Sequence, residues 1–128
     1  MNPRGITYDT GALIAAERNE RILWSLHRAA LGRGIAPTIP VGVLAEAWRG
    51  GPQHRLSQLL KGCRIEPMSE TQARDVGSLI GQGGLVDIVD VAVVEGAARR
   101  GDAIVTTNRS HIEQVAGVTG TSIPIHDV

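Results

Sequence analysis

Short apolar runs of strand length alternate with stretches of helical periodicity from one end of this chain to the other. The run GITY ends at Asp9, and helical spacing follows over 12–17 and 21–31, closed by Gly32 and Gly34. A second strand is expected at 36–39. Pro40 then suits the first turn of a helix over 41–49, which Gly50-Gly51 stops. A helical piece at 56–60 ends at Gly62, and 63–67 reads as a third strand. Ser69-x-x-Gln72 predicts a capping box opening a helix to about Ile80, followed by a loop through Gly81, Gly83 and Gly84. The segment 87–100 predicts a helix with Gly101 after its end, and 103–106 a fourth strand. Ser110-x-x-Glu113 predicts another capping box, its helix stopping at Gly117, and 121–125 a fifth, short strand. Such alternation favours an α/β fold in which helices cover both faces of a parallel sheet. In sheets of this kind sites lie at the carboxyl ends of strands, near the point where strand order reverses.

Composition narrows the functions that such a fold could serve. The 128 residues are enough for one domain, 1–128, and leave no room for a second core. With 42% hydrophobic and 20% charged residues the chain is globular rather than disordered. Thirteen basic residues balance thirteen acidic ones, so binding to a polyanion has to come from a local patch or a metal. Tyr8, Trp24 and Trp48 are the whole aromatic complement, which argues against single-strand binding on stacked aromatic platforms. The lone Cys63 excludes an internal disulfide and a cysteine-rich zinc site, and suits a reducing compartment. MNPRGITYDT lacks the apolar stretch of a signal peptide, and no apolar run approaches the roughly 18 residues needed to span a bilayer. A cytoplasmic protein without a membrane partner is expected.

Carboxylates carry the chemical signal. Asp9 follows the first strand directly. Asp87 and Asp90, spaced i and i+3, share one side of a helical first turn. Glu46 stands in the otherwise apolar VGVLAEAW. Clustered carboxylates bind hard divalent cations such as magnesium or manganese, which activate water and offset phosphoryl charge. Each acid also has a plain structural use: Asp9 and Asp87 as helix caps, Asp90 as a first-turn acid favoured by the helix dipole, Glu46 as a surface charge. The spacing 9, 46, 90 is not a motif that elementary rules decode.

The segments YDTGALIAAE, VGVLAEAWRGG and DIVDVAVVEGAARRGDAIVTTN, in this order, resemble the PIN-domain ribonucleases, in particular the VapC toxins of bacterial toxin–antitoxin pairs. The likeness covers nearly the whole chain. It implies a three-layer α/β/α sandwich around a parallel sheet. It also implies a quartet of acids that holds Mg2+ or Mn2+ and hydrolyses RNA to products with a 5′-phosphate and a 3′-hydroxyl. It makes Asp9, Glu46 and Asp90 the catalytic acids and metal ligands, with Asp87 accompanying them, and Thr106 the polar residue at the end of the fourth strand. An RNA substrate, a VapB-like antitoxin and a homodimer come with it.

At the fourth acidic position the chain departs from that pattern. Asn108 stands where an Asp is usual, and Ser110 and His111 occupy the place of a further Asp. Asn offers a carbonyl oxygen but no charge. Asn108→Asp is therefore expected to tighten metal binding and to destabilise the metal-free protein by added repulsion. A PIN-like interaction module with lost catalysis is the alternative that Asn108 supports. An aspartyl phosphatase is a weaker one, since that chemistry commonly places a second Asp where this chain has Gly11.

Thr106 and Thr107 could position water or phosphate, or simply cap backbone. Arg49, Arg99, Arg100 and Arg109 fall near segment ends, where they could reach RNA phosphates. The four histidines, His27, His54, His111 and His126, show no ligand spacing and read as ordinary surface or core residues. Trp24 and Trp48 read as core or interface anchors.

Overall fold

The computed structural model describes residues 5–84 and 87–128. Five strands, β1 (Ile6–Tyr8), β2 (Thr38–Pro40), β3 (Arg64–Glu66), β4 (Ala103–Thr106) and β5 (Ile125–Asp127), form one sheet in the order β3-β2-β1-β4-β5. Every neighbouring pair is parallel, with Thr7 opposite Thr38 and Ile104, and Ile104 opposite Ile125. Helices α1 (Thr10–Glu17), α2 (Arg21–Gly32), α3 (Val41–Ala47) and α4 (His54–Leu60) form one layer, in which α1 packs against the other three. Helices α5 (Glu70–Gly83), α6 (Ile88–Arg100) and α7 (Arg109–Thr119) pack on one another in the second layer. The result is the expected three-layer α/β/α sandwich around a parallel sheet.

The central strands are buried on both faces, so they read as apolar runs without alternation. Ile6, Tyr8, Ile39, Ile104 and Val105 fill the core beside Leu13 of α1 and Val91, Val93 and Val94 of α6. Helix α6 is apolar nearly all round, as a helix enclosed by the sheet and two neighbours has to be. Polar groups inside this core are partnered. Tyr8 Oη and His27 Nδ1 lie 2.7 Å apart, tying β1 to α2. Burial holds the His27 pKa below its ordinary value, with Arg28 acting in the same direction. Trp24 stands edge-on to His27 and donates from Nε1 to Ala16 O at 3.0 Å. Trp48, by contrast, is exposed.

Several boundaries differ from expectation: β2 lies at Thr38–Pro40 rather than 36–39, α3 ends at Ala47 rather than 49, and the larger differences have local reasons. Helix α5 runs through Gly81 and Gly83 and ends at Gly84, which takes the left-handed conformation at φ 64°. Gly83 lies where a Cβ would stand 2.7 Å from both Val118 methyls, so its missing side chain lets α5 approach α7. Helix α7 is capped by Asn108, not Ser110, because Asn108 Oδ1 accepts from His111 N and from Ser110 Oγ. It passes Gly117 and stops at Gly120, also left-handed. The fifth strand lies at Ile125–Asp127 rather than 121–125; Pro124 contributes its carbonyl to Ile104 N but has no N–H for a ladder. The Ser69–Gln72 box forms as expected, with Gln72 N donating to Ser69 Oγ at 3.0 Å.

Candidate active site

Strand order reverses between β1 and β4, where successive connections leave for opposite sides of the sheet. That arrangement opens a crevice at the carboxyl ends of these two strands. Asp9 stands at the end of β1 and Thr106 at the end of β4, both buried. The short strand turns directly into α1, so Asp9 caps that helix, its Oδ1 accepting from Ala12 N at 2.9 Å. The Thr106 hydroxyl interacts with the same carboxylate and also accepts from Asn108 N at 2.9 Å. Burial raises the Asp9 pKa above the ordinary carboxylate value. Its hydrogen bonds to Thr106 and Ala12 act against this, and the charge of Asp90 reinforces it.

Asp90 enters from α6. Asp87 caps that helix, accepting from Asp90 N at 3.0 Å, and so orients the turn that carries Asp90. One Asp90 oxygen lies 2.5 Å from His111 Nε2, across from the first turn of α7. Asp9, Asp90 and Thr106 are thus gathered at one place. Asp87 is exposed and works as a cap. Glu46 is exposed on α3 and joins the rim indirectly, accepting from Thr10 Oγ1 at 2.6 Å. Asn108 spends its side-chain oxygen on its own helix.

Among the described residues no group of three His, Cys, Asp or Glu side chains converges closely enough to enclose a metal. The donor set still suits a hard cation of the magnesium type. Such ions take one or two carboxylates and complete their shell with water and substrate phosphate, rather than an all-protein cage. Asp9 is a buried carboxylate with no ion-pair partner among the described residues, and Asp90 adds like charge beside it. A cation would relieve that pair.

His111 was not singled out by the sequence, although the signal existed. It lies one turn beyond Asn108 (i, i+3), on the same side of the helix. At Gly11 a Cβ would meet Thr107 Oγ1 at 2.1 Å, so a second Asp in the phosphatase position would have to displace Thr107. Cys63 supplies no nucleophile, since burial pushes its thiol pKa up to about 12. Of the arginines considered for RNA, Arg99, Arg100 and Arg109 are committed to acids: Arg99 and Arg100 to Glu66, Arg109 to Asp127. Among the described residues Arg49 pairs with no acid; its Nη1 donates to Trp48 O at 2.8 Å and to Ala45 O at 3.3 Å.

A three-layer α/β/α sandwich with a five-stranded parallel sheet and two acids at the strand-order reversal defines the fold class of this molecule. No family model matches the chain, and no curated protein is a significant match. Solved structures do match over nearly its full length. One is from the VapBC2 complex of Rickettsia felis bound to a promoter DNA fragment, with a TM-score of 0.73 and 15% identity, covering 96% of this chain and 98% of that one. Another is from DNA-bound VapBC of Salmonella typhimurium, with a TM-score of 0.70 and 18% identity over 96% and 97% of the two chains. A third, from a toxin–antitoxin complex of Klebsiella pneumoniae, has a TM-score of 0.68 and 19% identity over 97% of this chain and all of that one. At these identities the likeness is one of fold.

Proposed function

We propose that this chain is a metal-dependent ribonuclease acting as the toxin of a toxin–antitoxin pair, with Mg2+ or Mn2+ as its cofactor. The observation that carries the reading is the convergence of Asp9 and Asp90, one buried and one half-buried, at the switch point of a PIN-like sheet. Solved relatives in fold belong to toxin–antitoxin complexes, which supports the antitoxin partner. The metal, when bound, would supply an activated water and offset charge on the scissile phosphate and leaving oxygen.

The protein side of the chemistry is holding and orienting. Asp9 is pinned by Ala12 N–H at Oδ1 and by the Thr106 hydroxyl, which fixes the direction in which its carboxylate could meet a cation. His111 steadies one oxygen of Asp90. Glu46 is restrained by Thr10 alone, so it can exchange that hydroxyl for a metal-bound water or a ligand position. Two carboxylates with a third on the rim leave room for phosphate oxygens. Attack by water, rather than by the RNA 2′-hydroxyl, accords with the expected 5′-phosphate and 3′-hydroxyl ends.

Incubation with RNA tests the reading. Cleavage is expected with Mg2+ or Mn2+ and none in excess EDTA; undiminished cleavage in EDTA would sink it. A second reading is a PIN-like interaction module without catalysis. It is favoured by the absence of a three-ligand cluster among the described residues and by the occupation of Asp90 and Glu46 with His111 and Thr10. Calorimetric titration separates the two, since a module would show no heat of Mn2+ binding at millimolar concentrations. The homodimer expected with the toxin reading is checked by light scattering at micromolar protein.

A further inference from the structure

The two helical layers treat their cations differently. Every arginine from Arg64 to Arg109 is in an ion pair: with Glu66, Glu70, Glu95 or Glu113, or with Asp102 or Asp127. Among the described residues no arginine or lysine from Arg18 to Lys61 has a carboxylate within ion-pair distance. These cations all sit in or beside the layer of α1 to α4. Three acids are present there too, none within ion-pair distance of these cations: Glu17 accepts from Leu56 N at 2.8 Å, Glu46 accepts from Thr10, and Glu20 makes no side-chain cap bond to α2. Among the described residues the arginines and lysine without an acid partner thus all belong to this side of a chain of zero net charge.

Part of that surface begins at the candidate site. Glu46 faces Thr10 at the start of α1, and Trp48 and Arg49 follow within one turn of Glu46; both are exposed. Trp48 is 41% exposed, and the Arg49 guanidinium, held by the carbonyls of Ala45 and Trp48, keeps its charge without an acid among the described residues. The bond from Leu56 N to Glu17 then brings the start of α4, with Arg55, beside the far end of α1, with Arg18. Helix α1 rises about 12 Å over its 8 residues, so the cations continue for the length of a few nucleotides from the acids. Exposed, unpaired cations with an exposed aromatic among them are what a single strand binds through phosphate contacts and base stacking.

We propose that the α1–α3–α4 face, through Arg18, Arg49, Arg55 and Trp48, is the track on which single-stranded RNA lies as it enters the acid pair. The inference rests on the ribonuclease reading for its substrate, and its test is kept independent of catalysis. A fluorescein-labelled 12-nucleotide RNA of mixed sequence is bound to the full chain in EDTA and followed by anisotropy across a salt series. R49E/R55E should weaken binding more than tenfold at low salt and lower the slope of log affinity against log salt by about 1.4, at roughly 0.7 per phosphate contact. Arg74→Glu, on the opposite layer and already paired with Glu70, should change neither. Binding by R49E/R55E within twofold of the parent would overturn the track, as would an equal loss in Arg74→Glu or no binding by the parent at low salt. If the arginines govern capture of a polyglutamate peptide but not of RNA, the face docks an acidic protein and the proposal falls. Cleavage of the same RNA with Mn2+ is scored separately. A parent that binds through these arginines without cleaving keeps the track and loses the nuclease, and the reverse result keeps the nuclease and loses the track.

Discussion

Asp9 serves structure and chemistry at once, and the two demands conflict. As a cap it stabilises α1, yet burial and the nearby Asp90 charge make its ionised form costly, so its pKa is raised. An acid whose folded pKa is raised contributes stability that is present below its unfolded pKa and lost as pH rises through the folded value. Asp9→Asn keeps a good cap and removes the charge. Its melting temperature at pH 7 should exceed that of the parent, and the difference should shrink as pH falls below the carboxylate range. In the same protein, RNA cleavage should fall by orders of magnitude, and likewise in Asp90→Asn. Wild-type rates in both would mean that the acids are caps only. Tyr8, by contrast, has a single hydrogen-bond partner for its hydroxyl, His27. Tyr8→Phe strands the buried Nδ1 of His27 and should cost about 1–3 kcal/mol in urea unfolding.

Elements show their logic at the ends. The Ser69 cap of α5 forms as its sequence predicts, and Ser69→Ala should lower stability by about 1 kcal/mol. Helix α7 is the instructive departure. Ser110-x-x-Glu113 satisfies the same pattern, but Asn108 N–H is already held by Thr106 Oγ1, which sets the chain to enter the helix two residues earlier. The position read as a vanished metal ligand is therefore a working N-cap. Asn108→Asp would keep that cap and place an anion at a helix N-terminus beside His111, which is favourable by about 0.3–1 kcal/mol. Thermal melts without metal should show a stability equal to or above that of the parent, opposite in sign to the expectation from carboxylate repulsion alone. A clear loss of stability would place residue 108 among the acids instead.

At the scale of the whole molecule, the sheet decides what can meet. Residues 9, 90 and 106 are far apart in the chain and adjacent in space because β1 and β4 are neighbours at the reversal and α6 feeds β4. If the convergence holds a cation, Mn2+ should raise the melting temperature, by about 2.7 kcal/mol of stability at a hundredfold excess over the dissociation constant. Asp90→Asn should abolish most of that rise. An equal rise in parent and variant would put any bound metal elsewhere. Among the described residues no single helix is long and apolar enough to cross a membrane.

The sequence by itself determined the class of fold and most of its elements. Period and punctuation are local: apolar runs bounded by Gly, Pro and capping residues place strands at Ile6–Tyr8 and Ala103–Thr106 and helices such as α6 without knowledge of their neighbours. The likeness of YDTGALIAAE and its companion segments to PIN sequences pointed to Asp9, Glu46, Asp87 and Asp90, of which the fold brings Asp9 and Asp90 together. Tertiary structure alone decided which polar groups act on which. The contact of His111 with Asp90 spans 21 positions, and the link between Thr10 and Glu46 spans 36. The commitment of Arg99 and Arg100 to Glu66 is equally non-local. Helix α5 continuing through Gly81 and Gly83 belongs to the same class, since Gly83 is explained only by Val118 of α7. Such pairings depend on strand order and layer packing, and no local periodicity encodes either.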